Sequence, residues 1–179
     1  RGTFAGEKET LRRVLLSTLS SMEHTYRQSA GNDAMRNLAE QTFWKECRSL
    51  LAFLAFGPEL DTGGVVRSAL EQGIEVFAPC IRGDIMEFRR IGGLDDATGR
   101  GVLGIREPGE NAAVWSLTGA PSPSLVLAPG LAFDTRGGRL GRGRGYYDRF
   151  IRKVREEAAA AGVPCPLFIG YAYSGQIVP

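Results

Sequence analysis

The sequence is poor in the side chains that many enzymes use as nucleophiles and bases. It has one histidine and three cysteines among 179 residues, and it has no Gly-x-Ser-x-Gly motif. The histidine, His24, lies in a stretch with helical periodicity, so we expect a surface or interface residue there rather than a catalyst. A Ser-His-Asp or Cys-His catalytic centre therefore has no obvious parts in this chain.

The cysteines are not arranged as in a disulfide framework or a zinc site. Their number is odd and none belongs to a Cys-x-x-Cys pair, the three being Cys47, Cys80 and Cys165. This usage is typical of a reducing compartment, and we expect a cytoplasmic protein.

Long apolar runs, a signal peptide and a strong net charge are also missing. No apolar stretch approaches membrane-spanning length, and the net charge is only +2. Apolar residues make up 43% and charged residues 23%, which is ordinary for a globular protein. We therefore expect neither a membrane nor a nucleic acid as a partner.

Helical and strand patterns alternate along the chain. Apolar residues recur at helical spacing in residues 11–22, 35–43, 65–70 and 146–161. Short apolar runs predict strands at residues 50–56, 74–79, 85–91, 125–129 and 166–173, and residues 92–119 are mostly loop by composition. The alternation predicts a single α/β domain over residues 1–179, with a mostly parallel or mixed sheet and helices on both faces, a Rossmann-like three-layer arrangement.

The most unusual stretch is GGRLGRGRGYYDRF, residues 137–150, which lies between a predicted strand and a predicted helix. It is neither a P-loop nor a Gly-x-Gly-x-x-Gly motif, yet bare backbone N–H groups, a helix start and arginines are all features that bind phosphate. Asp148 lies in the first turn of the helix, where a divalent cation that bridges phosphates could meet it. A flexible basic loop and an Arg-Gly contact to nucleic acid remain alternatives.

With its flanks, this stretch resembles the hallmark of the 5-formyltetrahydrofolate cyclo-ligases, also called 5,10-methenyltetrahydrofolate synthetases. The residues that match the hallmark are Pro129, Gly130, Phe133, Asp134, Gly137, Arg139, Leu140, Gly141, Gly143, Gly145, Tyr146, Tyr147 and Asp148. Weaker agreements follow in the same order along the chain, in KETLR, FLAFGPELDT, FAP, IMEF, GIREP and QIVP. The resemblance implies an ATP-dependent ligase that cyclises 5-formyltetrahydrofolate, with Mg²⁺ as cofactor.

The resemblance also implies which residues form the site. ATP would be bound by Lys8, Arg12, Arg139, Leu140, Gly141, Arg142, Gly143, Arg144, Gly145, Tyr146 and Tyr147. The folate would be bound by Leu54, Glu59, Met86, Arg142 and Tyr146, with Arg142, Arg144 and Tyr146 acting in catalysis. Asp148 would bind the metal, and Asp134 either orients an arginine or caps a turn.

Several of these residues also have simpler interpretations. Lys8 and Arg12 share a helix face and could be a solvated pair, Leu54 and Met86 could be plain core, and Glu59 could be a polar turn residue. Trp115 is one more aromatic candidate for the folate pocket.

Two departures from the family pattern affect these expectations. Cys80 stands where the family usually has a basic residue, Arg82 being the nearest cation. The chain ends at QIVP, so we expect it to lack the C-terminal end of the family domain, which includes an acidic metal ligand. A catalytically silent relative that only binds folate or nucleotide is therefore an alternative, as is a nucleic-acid-binding module. We further expect a monomer whose substrate could carry a polyglutamate tail.

Overall fold

The computed structural model describes residues 4–101 and 104–178. Its helices are α1 (Phe4–Ser20), α2 (His24–Ala39), α3 (Thr42–Glu46), α4 (Gly63–Glu71) and α5 (Tyr146–Ala161). Its strands are β1 (Ser49–Leu51), β2 (Glu75–Arg82), β3 (Ile85–Ile91), β4 (Gly99–Arg100), β5 (Arg106–Glu107), β6 (Ser124–Ala128), β7 (Ala132–Asp134), β8 (Arg139–Leu140), β9 (Leu167–Gly170) and β10 (Ile177–Val178). Residues 102 and 103 of the predicted loop segment and Pro179 of QIVP lie outside the described residues.

The central sheet has the strand order β3-β2-β1-β6-β9. β1 lies parallel to β2 and to β6, and β6 lies parallel to β9, whereas β3 pairs with β2 antiparallel at one edge. The predicted mostly parallel or mixed α/β sheet is confirmed. The carboxyl ends of the parallel strands therefore meet along one edge of the sheet, where α/β proteins usually bind their ligands.

Side chains alternate along each strand, so each inner strand sends apolar residues to both faces of the sheet. Leu50, Val76 and Leu125 contribute to the core beneath α1 to α4. Their neighbours Leu51 and Val126 point the other way, into a second core with α5. A strand buried on both faces reads as a continuous apolar run, which is the pattern that predicted these strands.

Helices α4 and α5 end where the sequence predicts. Gly73, just beyond α4, and Gly162, just beyond α5, have left-handed φ angles of +75° and +65°. At the start of α4, the Asp61 carboxylate accepts a hydrogen bond from the Gly63 amide at 3.0 Å. A glycine directly after the last residues of each helix is therefore the sequence signal that marks its end.

The strand predicted at residues 50–56 is shorter in the structure. β1 ends at Leu51, and the Thr62 side chain then takes over the backbone hydrogen bonds of the following segment. Its hydroxyl donates to Phe53 O at 2.6 Å and accepts from the Ala55 amide at 3.3 Å. The apolar run therefore continues as irregular backbone, buried as far as Leu54 and exposed at Phe56, and it leads into the site.

Other differences concern helices and short strands. The helix predicted at residues 35–43 is interrupted at Gln41, whose extended backbone (ψ 139°) separates α2 from α3. Leu11 and Val14 of the opening helix are exposed, because α1 packs on the core mainly through its C-terminal half, with Leu19 buried. The small sheet β10-β7-β8 was not predicted.

Among the described residues, no helix combines the length and the apolar character needed to cross a membrane.

Candidate active site

A cavity of about 270 Å³ lies where the carboxyl ends of β1 and β6 meet the glycine loop, residues 141–145. It is lined by Lys8, Arg12, Phe53, Leu54, Glu59, Pro79, Ile81, Met86, Ile105, Pro129, Gly130, Arg139, Leu140, Gly141, Arg142, Gly143, Arg144, Gly145, Tyr146, Tyr147 and Asp148. Apart from Trp115, every residue that the sequence predicted for ATP, folate or metal binding is in this set. The structure therefore brings the predicted site residues together in one cavity, although their roles remain predictions.

A short hairpin presents the glycine loop to the cavity. β7 and β8 pair antiparallel, and the Asp134 carboxylate in their turn accepts hydrogen bonds from the amides of Gly138 (2.7 Å) and Arg136 (2.8 Å). These two N–H groups hold the pKa of Asp134 below its usual value. Of its two predicted roles, Asp134 therefore has that of turn cap.

Two glycines of the loop adopt backbone conformations that other residues rarely take. Gly143 has φ +102° and Gly145 has φ +69°. A Cβ on Gly143 would lie 3.6 Å from Cζ of Arg12, an ordinary contact, so backbone conformation rather than space requires glycine there. After Gly145, α5 begins without a side-chain cap, so its first N–H groups form a site suited to an anion.

Helix α1 supplies two further cations to the cavity, next to the glycine loop. Arg12 Nε donates to Gly141 O at 3.0 Å, which ties the helix to the glycine loop. Arg12 Nη1 also lies 3.3 Å from the exposed Glu9 carboxylate. Lys8, one turn earlier, is exposed and lines the same cavity. Arg12 is thus more than a solvated charge on a helix surface.

Glu59 and Arg142 form an ion pair inside the cavity. Arg142 Nη2 lies 3.2 Å from Glu59 Oε1 and 3.3 Å from Phe56 O, and the other carboxylate oxygen accepts from the Phe56 amide at 2.9 Å. Burial raises the pKa of Glu59, whose side chain is 15% exposed, while the Phe56 amide and Arg142 oppose the increase. The pair joins the segment after β1 to the glycine loop.

A second ion pair joins Arg139 to Asp148. The Arg139 side chain is 12% exposed, and its guanidinium donates to Pro129 O at 3.0 Å and to the Asp148 carboxylate. The Asp148 side chain is 68% exposed. Arg139 is therefore held beneath the loop with its charge directed toward the cavity, while Asp148 lies at the rim.

The two tyrosines that start α5 have different surroundings. The Tyr146 hydroxyl donates to Gly83 O at 3.3 Å, and the Arg149 guanidinium lies 5.0 Å from the Tyr146 ring centroid. The Tyr147 ring lies against Arg139, 5.6 Å from Cζ to the ring centroid, and its hydroxyl is buried. Burial and the Glu59 carboxylate raise the pKa of Tyr147, and Arg139 lowers it.

An apolar wall faces the cations. Leu54 follows β1 and Met86 lies in β3. Both are buried in the core and also line the cavity, so a core position and a place in the folate pocket are compatible. Sequence reasoning missed several further wall residues, namely Phe53, Pro79, Ile81, Ile105, Pro129 and Gly130. Proximity to the family motifs was the available signal, since most of these residues adjoin or belong to FLAF, FAP, GIREP or APG.

Cys80 and Arg82 point away from this wall. They alternate along β2 with Pro79 and Ile81, and both contact the buried Glu107 carboxylate, the thiol at 3.5 Å and the guanidinium at 3.3 Å. Burial and Glu107 raise the pKa of Cys80 to about 11. The side chain at position 80 therefore does not face the described cavity. A cysteine there, in place of the family's usual basic residue, leaves the cations that line the cavity unchanged.

Trp115 is not part of the cavity lining. It packs in the core beneath α5, with its ring centroid 6.0 Å from that of Phe150. Its contribution to the folate pocket stays a prediction, because Met86, which does line the cavity, belongs to the same core.

The described residues include no group of three or more His, Cys, Asp or Glu side chains that could hold a metal ion. The cavity lining offers two carboxylates, and Glu59 is engaged by Arg142. Asp148 is the exposed one, which suits a Mg²⁺ ion that arrives with phosphate ligands, because such ions often use only one or two protein carboxylates.

The cavity combines five cationic side chains, Lys8, Arg12, Arg139, Arg142 and Arg144, with an apolar wall and one buried carboxylate. The described lining includes no serine, threonine, cysteine or histidine. Such a site can bind an anionic ligand beside a flat apolar one and stabilise developing negative charge. The described lining therefore lacks the serine hydroxyl, thiol and imidazole groups that most often serve in covalent catalysis.

Comparison with known proteins agrees with this arrangement. The model of the 5-formyltetrahydrofolate cyclo-ligase family matches residues 5–179. A Caenorhabditis elegans protein named "Probable 5-formyltetrahydrofolate cyclo-ligase" is 33% identical over 96% of this chain and 84% of its own. A Schizosaccharomyces pombe protein of the same name is 28% identical over 97% of this chain and 86% of its own.

A solved structure has the same fold. The NMR structure of the Aquifex aeolicus 5,10-methenyltetrahydrofolate synthetase superposes with a TM-score of 0.77 at 25% identity, covering 96% of this chain and 82% of that one. The family model, the relatives and the fold all agree with the resemblance seen in the glycine-rich stretch. The chain therefore belongs to the 5-formyltetrahydrofolate cyclo-ligase family.

Proposed function

We propose that the protein catalyses the ATP-dependent cyclisation of 5-formyltetrahydrofolate to 5,10-methenyltetrahydrofolate, with release of ADP and inorganic phosphate. The observation that carries the proposal is a cavity in which cations from α1 and the glycine loop face apolar residues from the segment after β1, from β2 and from β3. A triphosphate and a pteridine ring need these two kinds of wall side by side. Membership of the cyclo-ligase family supports the same reaction.

The chemistry must turn a formamide oxygen into a good leaving group. The formyl oxygen attacks the γ-phosphorus of ATP, and ADP leaves. N10 then attacks the formyl carbon, the carbon–oxygen bond to the phosphate breaks, and the proton of N10 is released with the phosphate. Positioning and charge stabilisation supply most of the catalysis in such transfers, which agrees with a described lining that has five cations and no serine, cysteine or histidine.

The phosphate end of the site would use the cations around the glycine loop. Arg139, Arg12 and Lys8, with the N–H groups of the loop and of the start of α5, would bind the triphosphate. Arg142 and Arg144 would neutralise the phosphoryl group during transfer. The left-handed φ at Gly143 supports this assignment, since it turns bare backbone toward the cavity.

The folate end would use Glu59 and the apolar wall. A carboxylate can accept hydrogen bonds from the amino and ring N–H groups of a pterin, which would replace Arg142 as the partner of Glu59. Leu54, Met86 and Tyr146 would contact the ring. This exchange would free Arg142 to face the reacting phosphate.

Magnesium fits this arrangement through Asp148. A Mg²⁺ ion bound with ATP would neutralise phosphate charge and orient the phosphate oxygens. Asp148 would hold it once the carboxylate has separated from Arg139, and Arg139 would then bind phosphate instead. In each of the two ion pairs the arginine is predicted to bind phosphate. The carboxylate is predicted to bind a different ligand, the pterin in the case of Glu59 and Mg²⁺ in the case of Asp148.

A direct assay tests the proposal. Purified protein is mixed with 5-formyltetrahydrofolate, and methenyl-folate absorbance is followed with and without ATP and magnesium. We expect product only when ATP is present. ATP binding without turnover would indicate a silent relative, and absence of both would refute the proposed function.

A matched pair of variants tests the phosphate site. Arg139→Ala should weaken ATP binding measured by calorimetry, because it removes a positioned guanidinium. Arg152→Ala, an exposed arginine on the same helix as Asp148, is the control and should bind ATP like the wild type. Equal affinities in the two variants would contradict the assignment of Arg139.

An isotope experiment tests the mechanism. The formyl oxygen of the substrate is labelled with oxygen-18, and the products are analysed by mass spectrometry. Label recovered in inorganic phosphate supports transfer to the formyl oxygen, and label released into water contradicts it.

A further inference from the structure

Two tyrosine hydroxyls in the described part of the chain are buried without any hydrogen-bond partner, those of Tyr147 and Tyr171. Buried polar groups almost always have a partner, so each such hydroxyl needs an explanation. Tyr147 lines the cavity, whereas Tyr171 is not part of its lining. The hydroxyl of Tyr147 is therefore the one that a ligand in this cavity could satisfy.

The Tyr147 ring is held in place from several sides. It packs against both cores of the molecule and lies edge-on to Phe88, with ring centroids 6.2 Å apart and an interplanar angle of 78°. The Arg139 guanidinium lies near the ring, 5.6 Å from its centroid. A ring packed in this way cannot turn its hydroxyl out to solvent without disturbing the core.

Tyr147 lines the cavity together with residues of both halves of the proposed site, Glu59 from the folate side and Arg139 from the phosphate side. The charges of these two side chains act on the pKa of Tyr147 in opposite directions. The formyl group of the folate must meet the γ-phosphate of ATP where these halves join. A phenol there has one O–H to donate, and the described residues leave that donor unused.

We infer that the Tyr147 hydroxyl donates a hydrogen bond to the phosphoryl group as it passes from ATP to the formyl oxygen, which makes Tyr147 a further catalytic residue. The inference rests on the proposed function. It adds a role for a side chain that sequence reasoning assigned only to general ATP binding. The phenol keeps its proton throughout, so the bonds made and broken are those of the proposed reaction.

This role explains why an unpartnered hydroxyl is tolerated in the core. A donor fixed in advance needs no rearrangement when charge develops on the transferring group, so it favours the transition state. The same donor contributes nothing to the stability of the empty protein. Removing it should therefore slow the reaction without weakening the fold.

The experiment compares Tyr147→Phe with Tyr171→Phe. Tyr171 is a matched control because its hydroxyl is also buried and unpartnered, and its ring lies edge-on to Phe53 with centroids 6.4 Å apart. Steady-state kinetics gives kcat and KM for both substrates, and thermal unfolding without ligands gives Tm. Wild-type protein is measured in the same assay.

We expect Tyr147→Phe to lower kcat about 10- to 100-fold, with KM for ATP within about twofold of wild type and Tm no lower. Tyr171→Phe should keep wild-type kcat. Wild-type kcat in Tyr147→Phe would overturn the inference alone, as would a change confined to KM for ATP. A wild-type protein without activity would overturn the proposed function and the inference with it.

Discussion

The ion pair between Glu59 and Arg142 should contribute measurably to the stability of the ligand-free protein. Replacing Arg142 with alanine leaves a carboxylate that is only 15% exposed with the Phe56 amide as its remaining donor. The reverse change, Glu59→Gln, removes the buried charge and leaves the half-exposed guanidinium to water. The two changes should therefore differ strongly in their effect on unfolding.

The expected size follows from the exposure of the two partners. Exposed ion pairs contribute about 0–1 kcal/mol, whereas breaking a fully buried pair costs about 3–5 kcal/mol. The Arg142 side chain is 38% exposed, so water screens part of the interaction. We expect Arg142→Ala to cost about 1–2 kcal/mol, a fall in Tm of about 2–8 °C for a chain of this length.

A double-mutant cycle isolates the pairwise energy. Urea unfolding is measured for the wild type, Arg142→Ala, Glu59→Gln and the double variant, all without ligands. In the Glu59→Gln background the loss of Arg142 should cost less than about 0.5 kcal/mol, which gives a coupling energy of about 1 kcal/mol. A coupling energy below about 0.3 kcal/mol would refute the reasoning.

The pH dependence of Arg142→Ala provides an independent check. Burial raises the pKa of Glu59 above its ordinary 4.5, and Arg142 lowers it, so the variant should raise it further. Because the folded pKa exceeds the unfolded one, the penalty for ionising Glu59 is complete above the folded value and disappears below about pH 4.5. The destabilisation by Arg142→Ala should thus be largest near neutral pH and shrink as the pH falls.

Three further outcomes can be measured. Gly143→Ala should destabilise the protein by about 1–2 kcal/mol and weaken ATP binding in calorimetry, because alanine rarely adopts the positive φ of this position. The control Gly64→Ala, in an open position of α4, should leave stability unchanged or increase it. Asp148→Asn should raise the magnesium concentration needed for half-maximal turnover with little change in Tm; an unchanged requirement would assign Asp148 to the helix start alone. A disulfide reagent at pH 8 should label the exposed Cys165 and, until the protein is unfolded, spare the two buried cysteines, whose pKa values burial raises to about 11.

The inner strands of the sheet were predictable because they are buried on both faces. In β6 the four residues after Ser124 are all buried and apolar, which leaves a continuous run in the sequence. The paired length of β1 was not predictable in this way. The Thr62 hydroxyl bonds to the backbone of Phe53 and Ala55, where the pairing has ended. An apolar run does not indicate such a hydrogen bond from a side chain later in the sequence.

The site was predictable as far as the motifs extend. The positive φ at Gly143 favours glycine, so the glycine in the sequence indicates the loop directly. The register of β2 decides which of its faces lines the cavity. Composition alone could therefore not predict that Pro79 and Ile81 line the cavity while Cys80 faces away from it. The cytoplasmic location, the monomeric state and the polyglutamate tail stay predictions, because side-chain contacts within one chain do not report them.

The hydrogen bond from Arg12 to Gly141 joins residues that are 129 positions apart in the chain. Closing so long a segment is entropically costly until the intervening sheet has formed. On the ribosome, α1 emerges early and can gain its loop partner only after most of the chain has been synthesised. Chains that end before residue 141 lack this contact and part of the cavity lining, so the proposed nucleotide site would be complete only after the glycine loop has been synthesised.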